Sequence, residues 1–298
     1  MTADMLLLLT AAIWGFAFVA QRAGMAFMGP FTFNAIRFLA GGLSVLAIYK
    51  LFSTQFGQKR SERTFTKKDL WLGGGITGVV LFLGASLQQI GLVGTSAGTA
   101  GFITGLYVVL VPILGLVIGK RTSMLNWLGA GLAVVGLYFL SVSADTGISH
   151  SDLIVLAGAL VWAVHVHLIA HYSDKIGAIR LTILQAIICG LLSLVAAFIF
   201  EVPTLGGALN GWLPLVYGSI LSVGLAYTLQ VVAQRRADPS HAAIILSLES
   251  VFAALGGWFV LGENMGVRGL VGAGIMLAGM LISQVQRTKH STTNSVQS

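Results

Sequence analysis

Charge is scarce in this sequence. Of its 298 residues, 17 are Lys or Arg and 10 are Asp or Glu, so 9% are charged, against about 25% in an ordinary soluble domain. So few charges cannot clothe a water-facing surface, which excludes a soluble globular class. A second cysteine is missing, and Cys189 therefore forms no internal disulfide. No GxxxxGKS/T stretch is present to cradle ATP phosphates, and no HExxH stretch supplies a metal site. The strict apolar/polar alternation of membrane barrel strands is absent from runs such as Met5–Leu9 and Leu191–Phe200. Met1-Thr2-Ala3-Asp4 carries no positive charge ahead of the first apolar run, so that run is expected to remain as an anchor rather than be cleaved.

What the chain has in abundance is hydrocarbon: 56% hydrophobic residues and a mean hydropathy of +0.90. A helix crossing ~30 Å of lipid needs about 20 apolar residues at ~1.5 Å each. Ten segments qualify, 4–22, 31–52, 70–90, 96–118, 125–143, 152–171, 180–200, 211–233, 242–261 and 267–286. The expected fold class is an all-α membrane protein with ten transmembrane helices. The net charge of +7 is topological rather than a nucleic-acid footprint. With the N-terminus placed in the cytoplasm, Lys50, Lys59, Arg60, Arg63, Lys67, Lys68, Lys120, Arg121, Lys175, Arg180, Arg235, Arg236, Arg287 and Lys289 all fall inside, 14 of the 17 basic residues. That is the positive-inside pattern for ten spans with both termini cytoplasmic. The polar stretch 287–298 reads as a disordered cytoplasmic tail.

The sequence also repeats itself. Trp71-Leu72 matches Trp212-Leu213, Leu87-Gln88 matches Leu229-Gln230, and Gly119, Gly129, Gly131 and Gly136 match Gly262, Gly272, Gly274 and Gly279 at one offset of 143. Trp14 and Trp162 occupy like places in the first helix of each half. The expected organisation is a first five-helix repeat over 1–143 and a second over 144–286. Because five is odd, the second copy enters the membrane from the opposite side. Inverted repeats supply two near-equivalent arrangements, one open to each side, around a site near the midplane.

The WGFAF stretch at Trp14, Gly29-Pro30 followed by FNAIRF through Arg37, SAGTAGFITGLYVVLVPILG from Ser96, and SLESVFAALGGWFVLGE from Ser247 to Glu263 resemble the EamA-like branch of the drug/metabolite transporter superfamily. That resemblance implies two inverted five-helix repeats around a central cavity, lined by helices 1, 3, 4, 6, 8 and 9, with helices 5 and 10 peripheral. It also implies export. Two positions depart from the family pattern. Ser250 stands where such sequences often have proline, which is expected to straighten the ninth helix, and Lys120-Arg121 replaces a common acidic residue.

Glu249 is the only ionisable residue between Ala242 and Leu261, ~10 Å into its helix by rise alone. Facing lipid, an acid costs roughly 2.5–3.5 kcal/mol on insertion scales, so Glu249 must face a cavity or a partner. A carboxylate balanced between burial and a nearby cation can load and release a proton. Glu249 is therefore the candidate for proton coupling or for binding a substrate amine. Arg37 is the other intramembrane charge, expected to reach the outer headgroups or a helix end, or else to meet an anion. Gln88 and Gln230 are amides in apolar helices and must face inward. With Trp14, Tyr107, Trp162, His165 and Tyr227 they form the expected substrate cavity. His165 and His167 point to nearly opposite faces; His167 and His171, four apart, could share an ion, but no acidic or cysteine cluster accompanies them, and no metal site is expected. The GxxxG pairs Gly101/Gly105 and Gly74/Gly78 are expected to let helices approach closely.

These readings converge on a secondary transporter of a small amino acid, amine or related amphipathic solute in the inner (plasma) membrane, working by alternating access. An uncoupled facilitative carrier is the nearest alternative; a helical scaffold and a membrane-embedded enzyme are more distant ones. No catalytic residue, cofactor or nucleic acid is expected. The expected partners are a small-molecule substrate and the lipid bilayer, with a homodimer left open.

Overall fold

The computed structural model describes residues 2–52, 66–120, 122–141, 149–262 and 266–295. Lys59, Arg60, Arg63, Arg121, Glu263 and the junction between the two expected repeats at 143/144 lie outside the described residues. Among the described residues every regular element is a helix. Ten apolar helices follow one another: α1 Ala3–Gly24, α2 Pro30–Phe52, α3 Lys67–Gly91, α4 Ala97–Val117, α5 Met124–Ser141, α6 His150–Ile176, α7 Ala178–Phe200, α8 Trp212–Gln234, α9 Pro239–Leu261 and α10 Val267–Ser295. Eight of them are long and apolar enough to cross a membrane, while in α5 and α10 the apolar stretches, Met124–Phe139 and Val267–Ser283, are shorter. The chain is a multi-pass membrane protein.

Local chemistry sets most boundaries. Thr2, Ser96 and Ser149 cap α1, α4 and α6, with Ser149 and Asp152 forming a reciprocal capping box. Asp238 caps α9 ahead of Pro239, which fits the first helical position because it has no N–H to lose. The start of α2 is capped from a distance: Glu201 accepts from Phe31 N at 2.7 Å and from Thr32 N at 2.8 Å. Gly177, at φ 85°, is the single residue separating α6 from α7. The last helix differs from expectation. It runs to Ser295 rather than stopping near 286, and after Gly279 no glycine or proline interrupts it.

Two helices are broken midway. In α4 the pieces are Ala97–Gly105 and Tyr107–Val117. In α9 they are Pro239–Leu246 and Glu249–Leu261. The absence of proline at 250 thus does not straighten α9. Instead Ser250 N and Val251 N reach back only three residues, to Ser247 O at 3.1 Å and Leu248 O at 3.0 Å. The serine side chains bond elsewhere, Ser247 Oγ to Ile244 O at 2.8 Å and Ser250 Oγ across to Gly101 O at 2.5 Å. Serines that satisfy backbone carbonyls offer the chain an alternative to the regular helical ladder. In α8, residues Tyr217–Ala226 wind as a π-helix, a rare geometry that recurs at functional sites.

The main packing partners are α5 with α10, α2 with α7, α3 with α6, α1 with α8, α1 with α9, α4 with α6, α3 with α7, α2 with α8, and α4 with α9. Exchanging helix n for helix n+5 returns the same set. The α5/α10 crossing is made by glycines: a β-carbon on Gly129 would sit 2.8 Å from Gly279 O, and one on Gly136 would sit 2.5 Å from Gly272 O. Gly74 and Gly78 likewise receive Leu184 and Ile188 of α7, and Gly101 receives Ala253 of α9. With lipid on the outside there is no hydrophobic drive between helices, so close backbone approach and dispersion supply the cohesion.

Candidate functional site

A cavity lies at the centre of the bundle, lined from α1 by Trp14, Phe18 and Gln21, from α2 by Arg37, from α3 by Gln88, and from α4 by Thr104 and Tyr107. On the opposite side α6 gives Trp162, His165 and Val166, α8 gives Ser222, Tyr227 and Gln230, and α9 gives Leu246 and Glu249. All nine residues singled out in the sequence, Glu249, Trp14, Gln88, Tyr107, Trp162, His165, Tyr227, Gln230 and Arg37, meet here. The enclosed volume is about 40 Å³, room for about three waters at ~10–15 Å³ each. A metabolite requires the helices to part.

The two helix breaks deliver the acid. Tyr107 and Glu249 are each the first residue after the interruption in their helix, and the Tyr107 hydroxyl stands beside the Glu249 carboxyl without a hydrogen bond of good geometry. Glu249 is 4% exposed and turned to the cavity rather than to lipid. Its position in the first turn of Glu249–Leu261 also places it at the positive end of that helix dipole, where negative charge is favoured. Behind it, Gly15 of α1 leaves no space: a β-carbon there would lie 2.6 Å from Glu249 O.

A chain of amides and indoles forms another wall. Trp162 Nε1 donates to Gln88 Oε1 at 3.0 Å, and Gln88 Nε2 donates to Gln21 Oε1 at 3.0 Å. Gln21 in turn donates to Ala17 O at 3.1 Å. Trp14 Nε1 donates to Ser222 O at 3.2 Å, a carbonyl within the π-helical part of α8. The Tyr227 ring packs 4.7 Å from Trp14 and 6.2 Å from His165. His165 is fixed from behind by Gln185 Oε1 of α7, 2.9 Å from its Nε2. Gln230 Oε1 and Thr104 Oγ1 are buried and have no hydrogen-bond partner among the described residues, so both remain open to a ligand or water.

Arg37 is where the sequence reading of a headgroup-directed side chain fails. It is 3% exposed, deep in the bundle. Nε donates to Asn34 Oδ1 at 2.9 Å, and the guanidinium lies 4.7 Å from the centre of the Phe38 ring. Depth along a helix says nothing about which way a side chain turns, and Asn34 one turn earlier holds it inward. Six lining residues were missed, Phe18, Gln21, Thr104, Val166, Ser222 and Leu246, and Gln21 is the one the sequence could have supplied. The same rule that marks Gln88, an amide inside an apolar helix, would have found it. Gln89, another such amide, points away from the cavity, to Gln21 O at 3.3 Å and Met25 Sδ at 3.2 Å.

The remaining histidines of α6 lie apart from the cavity. His167 Nε2 bonds Val111 O at 2.8 Å, and His171 Nε2 pairs with Lys175 Nζ at 2.8 Å. Among the described residues no three His, Cys, Asp or Glu side chains come together as a metal site.

Comparison with known proteins adds a family and several relatives. The sequence model of the EamA-like transporter family matches residues 1–142 and 150–284. An uncharacterised transporter of Archaeoglobus fulgidus is 33% identical over 285 residues, covering 94% of this chain and 85% of that protein. The threonine/homoserine exporter RhtA of Escherichia coli K12 is 27% identical over 297 residues, covering 96% and 92%. A solved crystal structure superposes with a TM-score of 0.76 at 17% identity, over 96% of this chain and 98% of the other. At that identity the likeness shows a shared fold and nothing about substrate.

Proposed function

Since this chain belongs to the EamA-like transporter family, we propose that it is a secondary transporter that exports a small amino acid or amine across the inner (plasma) membrane, driven by protons bound at Glu249. The carrying observation is Glu249 itself: a carboxyl without an ion-pair partner among the described residues, at the junction of two broken helices, facing a cavity ringed by polar and aromatic groups. Discontinuous helices meeting at mid-membrane are how carriers present half-helix ends to a solute.

Alternating access rests on two inverted five-helix repeats, 1–143 and 144–286. Three features support that organisation. The principal helix pairs are closed under exchange of n and n+5. The breaks in α4 and α9 fall at corresponding places. The Gly129/Gly279 contact has Gly136/Gly272 as its counterpart, with the four residues related by the same offset of 143. Both termini are assigned to the cytoplasm by the distribution of basic residues. Gln88, Trp162, Trp14, Tyr107, His165, Tyr227 and Gln230 shape the pocket, and their aromatic share suits a solute with an apolar body.

The kinship with a threonine/homoserine exporter makes those two amino acids the first solutes to try. Purified protein in liposomes, given radiolabelled L-threonine or L-homoserine under an imposed proton gradient, should accumulate solute against its concentration and stop when a protonophore is added. Movement only down the solute gradient, indifferent to protonophore, would establish an uncoupled facilitative carrier instead.

A further inference from the structure

Two opposite charges occupy the wall of one cavity. Arg37 is 3% exposed and Glu249 is 4% exposed, both line the central space, and among the described residues neither enters an ion pair. Holding an uncompensated ion inside a protein is costly even after relaxation, and removing its partner is strongly destabilising. Among the described residues no ion pair compensates either side chain, so each is available to a ligand.

Arg37 is held as a recognition group would be. Its Nε donates to Asn34 Oδ1 at 2.9 Å, and Asn34 is itself anchored by donating to Ala85 O of α3 at 3.1 Å. The guanidinium is further confined by the Phe38 ring at 4.7 Å and the Phe33 ring at 5.6 Å. These contacts use one N–H and the faces of the ion. They leave its terminal nitrogens, the edge that grips a carboxylate through two parallel hydrogen bonds. Tyr227 lies within electrostatic reach of both Arg37 and Glu249, and its ring packs on Trp14, His165 and Phe38. The wall between the charges is thus aromatic, a surface for the carbon skeleton of a solute.

We propose that Arg37 is the carboxylate-recognising residue of the cavity, so that the solute must carry a carboxylate for Arg37 as well as an ammonium for Glu249 and is a zwitterion rather than a simple amine. The assignment rests on the transport reading of the same cavity and adds to it a second charge requirement. Glu249 and the free acceptor Gln230 Oε1 serve the ammonium; Arg37 rejects solutes that lack an acid. An amine without a carboxylate would leave the guanidinium desolvated and unpaired, which is the physical origin of the selectivity.

The test uses the purified full-length protein in detergent and equilibrium binding of three probes on one skeleton. L-threonine carries both charges, L-threoninol lacks the carboxylate, and 2,3-dihydroxybutyrate lacks the ammonium. Wild-type protein should bind threonine at least ~10-fold more tightly than either analogue, the worth of a charge-assisted hydrogen-bond pair. Arg37→Gln should bring threonine down to the level of threoninol while leaving threoninol within about twofold. Arg37→Lys keeps the charge without the fork and should lower threonine affinity alone, which covers the case of an Arg37→Gln protein that fails to fold. Equal weakening of threonine and threoninol in these variants would mean that Arg37 only supports the fold, and would overturn the proposal. So would wild-type protein that binds threoninol as well as threonine. Wild-type protein that binds no zwitterion but moves an amine in liposomes defeats the proposal and leaves the transport reading standing; loss of all flux defeats both.

Discussion

Tyr107 and Glu249 sit side by side at the first residue beyond the break in α4 and the break in α9. The pairing ties the carboxyl to the interruptions of both helices. Tyr107→Phe removes only the hydroxyl and leaves the ring packed. The expected outcome is a fall in transport rate of about fivefold, near 1 kcal/mol, with thermal stability in detergent unchanged. A rate equal to wild type would separate Tyr107 from the chemistry of Glu249.

The glycine crossing of α5 and α10 predicts a contrast between neighbours on one helix. At Gly136 a β-carbon would meet the Gly272 carbonyl, whereas at Gly131 it would meet nothing within 4 Å. Gly136→Ala should destabilise the protein by about 1–3 kcal/mol through overpacking. Gly131→Ala should be neutral or gain up to ~1 kcal/mol from helix propensity. Melting temperatures of the two purified variants check both signs at once.

At one end of the bundle His241 of α9 joins α1 and α10. Its Nε2 lies 3.1 Å from Asp4 Oδ1 and its Nδ1 lies 3.1 Å from Ser283 Oγ. His241→Ala should lower stability by about 1–3 kcal/mol, the cost of orphaning buried partners. Asp4→Asn combined with His241→Ala should cost less than the sum of the single changes, because both act on one contact. Strict additivity in chemical denaturation would show that the three helices are held independently.

Glu201 offers a test at the opposite end of the fold. Its carboxylate accepts from Phe31 N, Thr32 N and, at 2.6 Å, Thr32 Oγ1, serving as the cap that α2 lacks locally. Glu201→Ala should cost roughly 1–2 kcal/mol, and Glu201→Gln less than half of that, since an amide oxygen still accepts. Hydrogen exchange at the first turn of α2 should rise in the alanine variant.

Much of this was legible because lipid leaves so few options. An amide or an acid in an apolar helix has to turn inward, and Gln88, Gln230 and Glu249 therefore meet in one cavity. Eight of the ten expected spans followed from length and hydropathy, and the glycines that carry the sequence repeat meet where α5 crosses α10. What stayed hidden was set in three dimensions. Arg37 reads as close to a helix end, yet Asn34 and two phenylalanines draw it into the centre. At the break in α9 Ser250 bonds Gly101 on a different helix, a partner 149 residues away in sequence. The π-helical winding of α8 has no signature in its apolar residues.

Glu249 carries the account, and one variant isolates it. Glu249→Gln keeps the shape of the side chain and removes its titration together with its charge. In liposomes this variant should exchange labelled for unlabelled amino acid more weakly, because the ammonium loses its charged partner, and should fail to concentrate it at any solute level when a proton gradient is imposed, while wild-type protein does both. A Glu249→Gln protein that concentrates solute at the wild-type rate, with the same dependence on pH, would contradict proton coupling at this residue.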